Sequence, residues 1–120
     1  MQPQKILLVE DDALIADLLQ LILEDAGHKV ILARDGHVAM VMANDISEAY
    51  EILITDIRLP GPDGWTVARS VRAILPTIAV IYISGEATSD WSEYGVPGSV
   101  IMQKPFARAA VLGAISELTV

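Results

Sequence analysis

The run Ala79-Val80-Ile81-Tyr82-Ile83 is apolar along its whole length and contains several β-branched residues. Such runs are typical of central parallel strands that helices cover on both faces. Four further runs of strand character lie at residues 5–9, 29–33, 51–55 and 100–103. Helical patterns follow each of the five runs, at residues 14–26, 36–44, 64–75, 88–94 and 105–118. The alternation predicts a single α/β domain of (βα)5 type, doubly wound around a five-stranded parallel sheet.

Apolar spacing within the helical segments predicts which side chains pack against this sheet. The predicted inward positions, in chain order, are Leu14, Leu18, Leu21 and Ile22; Val38, Val41 and Met42; Val67, Ala68, Val71 and Leu75; and Val111, Leu112, Ile115 and Leu118. Asp12 is a plausible N-cap of the first helix, and Gly27 follows that helix as a plausible stop signal. We expect His28 and His37, which flank the second strand, to lie at the surface.

Length and composition restrict the class of protein. The 120 residues predict one domain over residues 1–120, and without cysteine there is no disulfide or zinc-thiolate site. A formal net charge of −8 argues against general nucleic-acid binding by this domain. No apolar run approaches the ~18–20 residues of a membrane helix, and no signal peptide precedes the first strand. The composition suits a reducing compartment such as the cytoplasm.

Charged and polar residues stand directly after four of the five predicted strands. Glu10, Asp11 and Asp12 follow the first strand, Asp56 the third, Ser84 the fourth, and Lys104 the fifth. The carboxyl ends of parallel strands meet at one edge of a sheet, and open α/β sheets bind their ligands at that edge. A cluster of like charges there costs folding energy unless a cation binds. We therefore expect the function of the chain to reside at this edge.

The residue types at this edge favour metal-assisted phosphoryl chemistry. Asp11, Asp12 and Asp56 supply the hard oxygen ligands that Mg²⁺ or Mn²⁺ prefers. A carboxylate such as Asp56 can attack phosphorus and form an aspartyl phosphate. Lys104 can neutralise a phosphoryl oxygen, and the Ser84 hydroxyl can donate a hydrogen bond to another. Positioning and charge neutralisation make up most of the catalysis of phosphoryl transfer.

These motifs, taken in order, resemble the receiver domain of a two-component response regulator. The matching residues are Glu10-Asp11-Asp12, Asp56 with Pro60 and Gly64, Ser84-Gly85 and Lys104-Pro105-Phe106. The resemblance implies a flavodoxin-like fold with strand order 2-1-3-4-5 and a cis peptide bond before Pro105. It implies that Asp56 is the phosphoacceptor and that Ser84 and Lys104 contact the phosphoryl group. The implied Mg²⁺ ligands are Asp11, Asp12, Asp56 and the backbone carbonyl of Arg58.

The resemblance also implies a phosphorelay signalling switch rather than an enzyme. Its phosphoryl donor would be a histidine kinase or phosphotransfer protein, and it would act without nucleic acid or membrane through a downstream protein. The chain departs from the family at Ile101, where many receivers have an aromatic switch residue. We therefore expect switching to depend on residues 86–98, with Glu86, Trp91 and Ile101 at the switch and partner surface. A monomer, or a weak dimer through the fourth helix, fifth strand and fifth helix, is expected.

Three alternatives to a phosphorylated switch remain at the level of the sequence. A pseudo-receiver would bind partners without phosphorylation, but the complete acidic set and Lys104 argue against it. A phosphatase of the haloacid-dehalogenase type would carry an Asp-x-Asp pair, whereas Ile57 and Arg58 follow Asp56 here. A flavin-binding flavodoxin would need a phosphate-binding loop after the first strand, and no Ser/Thr/Gly-rich loop stands there.

Overall fold

A computed structural model describes residues 2–86 and 90–119 of the chain. The described residues form one parallel sheet of five strands in the order β2-β1-β3-β4-β5. The strands are β1 (Lys5–Val9), β2 (Lys29–Ala33), β3 (Ile52–Asp56), β4 (Ala79–Ser84) and β5 (Val100–Gln103). The helices are α1 (Ala13–Asp25), α2 (Gly36–Ala43), α3 (Gly64–Ile74), α4 (Trp91–Tyr94) and α5 (Arg108–Thr119). The predicted fold class and strand order are confirmed.

Hydrophobic cores lie on both faces of the sheet, because neighbouring side chains along a strand point to opposite faces. One core places Leu7, Leu53 and Tyr82 of the sheet among buried residues of α2 and α3. The other core, on the opposite face, places Ile54 and Ile81 among buried residues of α1 and α5. The central strands are therefore apolar throughout, and polar residues are confined to the strand ends.

Helix boundaries differ from the prediction by one to three residues, and the causes are local. The Asp12 carboxylate accepts hydrogen bonds from the amides of Leu14 and Ile15, which starts α1 at Ala13. Asp35 and Asp63 cap α2 and α3 in the same manner, at Val38 and Thr66. The last helix begins three residues later than predicted, at Arg108. The predicted helix 88–94 is observed over Trp91–Tyr94, and residues 87–89 lie outside the described residues.

The prediction for the inward face of α1 is wrong for its leucines. Leu14, Leu18 and Leu21 are 81%, 46% and 66% exposed, whereas Ala16 and Leu19 are fully buried. α1 is apolar on more than one face, so periodicity alone does not select the face that packs. The small side chain of Ala16 lets the helix approach the sheet closely, and the three leucines form an exposed stripe. We call Leu14, Leu18 and Leu21 the α1 stripe.

Small residues decide the packing of α2 in the same way. Gly36, Ala39 and Ala43 are buried, whereas Val38 and Val41, which we predicted inward, are 40% and 72% exposed. The inward prediction is confirmed for Val67, Ala68 and Val71 of α3 and for Val111 and Ile115 of α5.

The prediction that His28 is a surface residue is also wrong. His28 is only 4% exposed, and its Nδ1 atom accepts a hydrogen bond from the amide of Gln4 at 2.9 Å. Burial lowers the pKa of the His28 imidazole, because desolvation disfavours the charged form. His37 is exposed, as predicted.

Candidate functional site

The carboxyl ends of β1, β3, β4 and β5 bring the predicted site residues to one edge of the sheet. β1 ends just before Glu10, β3 ends at Asp56, β4 ends at Ser84, and β5 ends one residue before Lys104. The amide of Lys104 donates to the carbonyl of Ser84 at 2.7 Å, which fixes the start of the loop after β5. The peptide bond between Lys104 and Pro105 is cis, as predicted.

Asp56 is held in place by the loop that follows it. The amide of Arg58 donates to Asp56 Oδ1 at 3.2 Å, and the amide of Gly64 donates to the carbonyl of Ile57 at 2.7 Å. A β-carbon at Gly64 would stand 2.2 Å from the carbonyl oxygen of Asp56, so only glycine fits there. The close return of the chain at Gly64 therefore sets the backbone that carries the Asp56 carboxylate.

Lys104 supplies the counter-charge to two buried carboxylates. Its Nζ atom lies 2.8 Å from Asp56 Oδ2 and 3.1 Å from Glu10 Oε1. Burial lowers the pKa of the Lys104 ammonium, but its hydrogen bond and attraction to Asp56, together with Glu10, outweigh that effect. The resulting pKa lies above its ordinary value, so Lys104 is a cation at neutral pH.

The Glu10 carboxylate is fully buried and contacts one backbone amide and one cation. Its Oε2 atom accepts from the amide of Asp12 at 3.2 Å. Its Oε1 atom forms the ion pair with Lys104 Nζ at 3.1 Å and makes no further hydrogen bond among residues 2–86 and 90–119. Burial raises the pKa of the Glu10 carboxyl to about 7, and the charge of Asp56 adds to the rise. The edge thus contains a buried carboxylate oxygen with capacity to bind a cation.

Three carboxylates are close enough to share one metal ion. Oxygen atoms of Glu10, Asp11 and Asp56 all lie within 4.8 Å of one another. Asp12, which we predicted as a ligand, is not in this cluster, because its carboxylate caps the amino end of α1. Asp12 was the plausible N-cap in the sequence as well, and one carboxylate cannot easily serve both purposes. The cluster of hard carboxylate oxygens suits Mg²⁺ or Mn²⁺.

Ser84 and Arg58 lie beside the acidic edge and contact Glu86. The Ser84 hydroxyl donates to the carbonyl of Glu86 at 2.7 Å and accepts from the Glu86 amide at 3.1 Å. The Arg58 guanidinium pairs with the Glu86 carboxylate at 2.9 Å, and both side chains are largely exposed. The Ser84 hydroxyl is therefore turned towards Glu86, and the Arg58–Glu86 pair lies at the surface.

Of the three predicted switch residues, Trp91 lies in α4, Ile101 lies in β5, and Glu86 lies in the loop after β4. Ile101 lies in β5, opposite Tyr82 of β4, and packs against the core that contains α3. The Trp91 indole N–H donates to the Ser99 hydroxyl at 3.0 Å, and its side chain is 36% exposed. Trp65 was not predicted as a site residue, although it lines a cavity of about 90 Å³ together with Ser84, Arg58 and Glu86. Its position directly after Gly64 could have indicated this proximity.

The chain is similar to receiver domains of response regulators. A family model described as the response regulator receiver domain matches residues 6–116. A receiver protein from Sinorhizobium medicae is 39% identical, with a TM-score of 0.90 over 98% of this chain and 94% of that chain. The receiver domain of the sensor histidine kinase PA1611 from Pseudomonas aeruginosa, solved with a magnesium ion in its active-site cleft, is 28% identical. Its TM-score is 0.85, over 98% of both chains.

Curated relatives are longer than this chain. The uncharacterized transcriptional regulatory protein YbdJ of Bacillus subtilis is 36% identical over 107 residues, which is 88% of this chain and 46% of that protein. A second protein of that organism, YrkP, is 31% identical over 97% of this chain and 51% of its own length. The chain thus spans about half the length of these relatives.

No helix among residues 2–86 and 90–119 is long and apolar enough to cross a membrane.

Proposed function

The chain belongs to the response regulator receiver family, and from this premise we propose that it is a switch controlled by phosphorylation of Asp56. The observation that carries the proposal is the contact between Asp56 Oδ2 and Lys104 Nζ at 2.8 Å. It combines a nearly buried nucleophilic oxygen with a fixed cation at the edge where the strands end. Phosphoryl transfer needs this combination, because the charge on the phosphoryl oxygens must be neutralised while the acceptor oxygen stays in line with the leaving group.

The reaction is an exchange of one bond to phosphorus for another. An oxygen of Asp56 forms a bond to phosphorus, and the bond between phosphorus and the donor breaks, which for a phosphohistidine donor is a bond to nitrogen. The donor imidazole keeps the electron pair of that bond and takes up a proton. Lys104 stays close enough to neutralise a phosphoryl oxygen, and the Ser84 hydroxyl would donate to another after it turns away from Glu86.

We assign Glu10, Asp11 and Asp56 as the carboxylates that would hold Mg²⁺ or Mn²⁺, with the backbone carbonyl of Arg58 as a further ligand. The fit rests on the cluster of their oxygens within 4.8 Å and on three carboxylates that have Lys104 as their nearby cation. The magnesium ion in the related PA1611 receiver supports this assignment. When bound, the ion supplies charge neutralisation for the carboxylates and the phosphoryl oxygens.

The α1 stripe suggests where the phosphoryl donor binds. Leu14, Leu18 and Leu21 are exposed on the helix that starts at the acidic edge, and they form a continuous apolar strip at positions i, i+4 and i+7. We propose that a histidine kinase or phosphotransfer protein packs a helix on this strip and presents its phosphohistidine to Asp56. We also propose that the protein acts in the cytoplasm and signals through a downstream protein partner.

The experiment that tests this function is incubation with Mg²⁺ and acetyl phosphate, followed by intact-protein mass spectrometry. We expect an adduct of about 80 Da, the mass of a phosphoryl group, in the native protein and none in Asp56→Asn. Asp63→Asn is the matched control, because Asp63 is an N-cap in the same loop and asparagine also caps helices. An adduct that persists in Asp56→Asn would contradict the assignment, and its absence from native protein would favour the pseudo-receiver.

A further inference from the structure

Three aromatic rings form a continuous contact from the acidic edge to α4. The ring centroids of Trp65 and Tyr82 are 4.6 Å apart with an interplanar angle of 54°. The centroids of Trp65 and Tyr94 are 6.1 Å apart. Tyr82 is fully buried and Trp65 is nearly so, whereas Tyr94 is 45% exposed. The chain of rings therefore runs from the interior to the surface of α4.

Trp65, the middle ring, and Tyr82, the inner ring, each meet a group outside this chain of rings. Trp65 lines the cavity of about 90 Å³ that Ser84 also lines. The phenol oxygen of Tyr82 accepts a hydrogen bond from the backbone amide of Val96 at 3.1 Å. Val96 is buried and follows α4 by two residues. Tyr82 thus holds the junction between α4 and β5 through one specific hydrogen bond.

The strand register shows why the ring of Tyr82 occupies a special place in this chain. Tyr82 of β4 pairs with Ile101 of β5, and both pack into the core that contains α3. Ile101 has no polar atom in its side chain and cannot exchange a hydrogen bond between two states. On this face of the sheet, the hydrogen-bonded ring is Tyr82 of β4, the strand next to β5.

We propose that Trp65 and Tyr82 couple the Ser84 hydroxyl to the Val96 amide, so that phosphorylation at Asp56 repositions the junction between α4 and β5. The inference rests on the proposed function. For the Ser84 hydroxyl to donate to a phosphoryl oxygen, it must leave the carbonyl of Glu86, to which it now donates at 2.7 Å. That rotation changes the wall of the cavity that Trp65 lines.

Close packing transmits this change from Trp65 to Tyr82. A buried ring cannot shift without displacing the ring that contacts it, because protein interiors have few voids. The 90 Å³ cavity gives Trp65 room to move, whereas fully buried Tyr82 has little room of its own. A displacement of Tyr82 therefore changes its hydrogen bond with Val96.

Two further hydrogen bonds hold the β5 side of the junction. The Arg72 guanidinium donates to the carbonyl of Pro97 at 2.8 Å, and the Ser99 hydroxyl donates to the carbonyl of Val96 at 2.6 Å. Neither bond involves the rings of Trp65 or Tyr82. The Ser99 hydroxyl also accepts from the Trp91 indole N–H of α4 at 3.0 Å, so Val96 is joined to α4 through Ser99 as well as through Gly95.

The test compares Tyr82→Phe with Tyr50→Phe. Both substitutions remove only a phenol oxygen, and Tyr50 is a buried residue of the same core that precedes β3 at the opposite edge of the sheet. The probe is beryllofluoride with Mg²⁺, and the measurements are the backbone amide signals of Ser84 and Val96 in nitrogen-15 NMR spectra. The indole N–H signal of Trp65 is followed in the same spectra, and intact mass after acetyl phosphate reports phosphorylation separately.

We expect beryllofluoride to shift the Ser84 and Val96 amide signals and the Trp65 indole signal in native protein and in Tyr50→Phe. In Tyr82→Phe, the Ser84 shift and the phosphoryl adduct should remain, and the Val96 shift should be lost. A Val96 shift in Tyr82→Phe as large as in native protein would overturn the coupling. If Tyr82→Phe does not fold, Trp65→Phe replaces it, and an undiminished Val96 shift there would overturn the coupling equally. Native protein without adduct or Ser84 shift would instead overturn the proposed function.

Discussion

Replacing Asp12 by alanine separates a capping carboxylate from a metal ligand at the acidic edge. Asp12 Oδ1 accepts hydrogen bonds from the amides of Leu14 and Ile15 at 2.9 and 3.2 Å. Loss of such a cap costs about 1 kcal/mol of unfolding free energy. For a domain of this size that corresponds to a decrease in Tm of about 4 °C. Asp12→Asn should stay close to native stability, because asparagine caps helices about as well as aspartate.

The magnesium response of the same variants identifies the ligands. At a Mg²⁺ concentration ten times Kd, binding to the native state alone adds about 1.4 kcal/mol to the unfolding free energy. If Asp11 is a ligand and Asp11→Asn weakens binding tenfold, about 0.4 kcal/mol of that increment remains. Because Asp12 lies outside the cluster of Glu10, Asp11 and Asp56, Asp12→Ala should keep most of the increment.

The assay is thermal unfolding, followed by circular dichroism with and without Mg²⁺, on native protein and the three variants. Calcium-free buffer and a chelator control ensure that the comparison begins without a bound divalent ion. The ligand assignment is refuted if Asp12→Ala loses the magnesium increment while Asp11→Asn keeps it. The capping argument is refuted separately if Asp12→Ala unfolds at the native temperature in the absence of Mg²⁺.

In chemical denaturation, Gly64→Ala should lower the unfolding free energy by about 1–3 kcal/mol and slow phosphorylation, because its β-carbon would overlap the Asp56 carbonyl. Gly113→Ala, in open space within α5, should instead raise the unfolding free energy by roughly 0.5–1 kcal/mol. Leu18→Gln should slow phosphoryl transfer from a histidine kinase without affecting labelling by acetyl phosphate, and an unchanged rate of kinase transfer would refute docking on the α1 stripe. The buried neighbour gives the contrast: Leu19→Ala should lower the unfolding free energy by about 2–5 kcal/mol. Burial lowers the pKa of His28, so its stabilising contribution should be present above pH ~6.5 and decline as pH falls below it. In denaturant titrations at several pH values, His28→Gln should show a smaller decline in unfolding free energy below pH ~6.5 than native protein. An equal decline in both proteins would contradict the role of His28.

Strand residues predicted the fold because their environment is almost uniform. A parallel sheet covered on both faces requires apolar side chains at nearly every position, and the runs at residues 52–55 and 79–83 meet that requirement. The carboxyl ends of the strands could also be located from the sequence alone. Chain direction then placed Asp56, Ser84 and Lys104 at one edge, where the structure has them.

Helix faces were harder to predict, because a pattern of apolar residues does not encode the distance between helix and sheet. Leu14, Leu18 and Leu21 have the spacing of a buried face, but Ala16 and Leu19 permit closer packing. The neighbour that covers a residue is also absent from the sequence pattern. Buried His28 has its Nδ1 atom paired with the amide of Gln4, 24 positions away in the chain, and local periodicity does not show that contact.

The sequence by itself determined the (βα)5 order, the direction of the sheet and the chemical groups at its edge, since these follow from local periodicity and chain direction. The tertiary structure decided which carboxylates of that edge cluster. It turned Asp12 to the amides of α1 and buried Glu10 in an ion pair with Lys104. It also placed Trp65 between Ser84 and Tyr82. The physical reason is that a side chain's partners depend on backbone segments far apart in sequence, whose approach is set by packing.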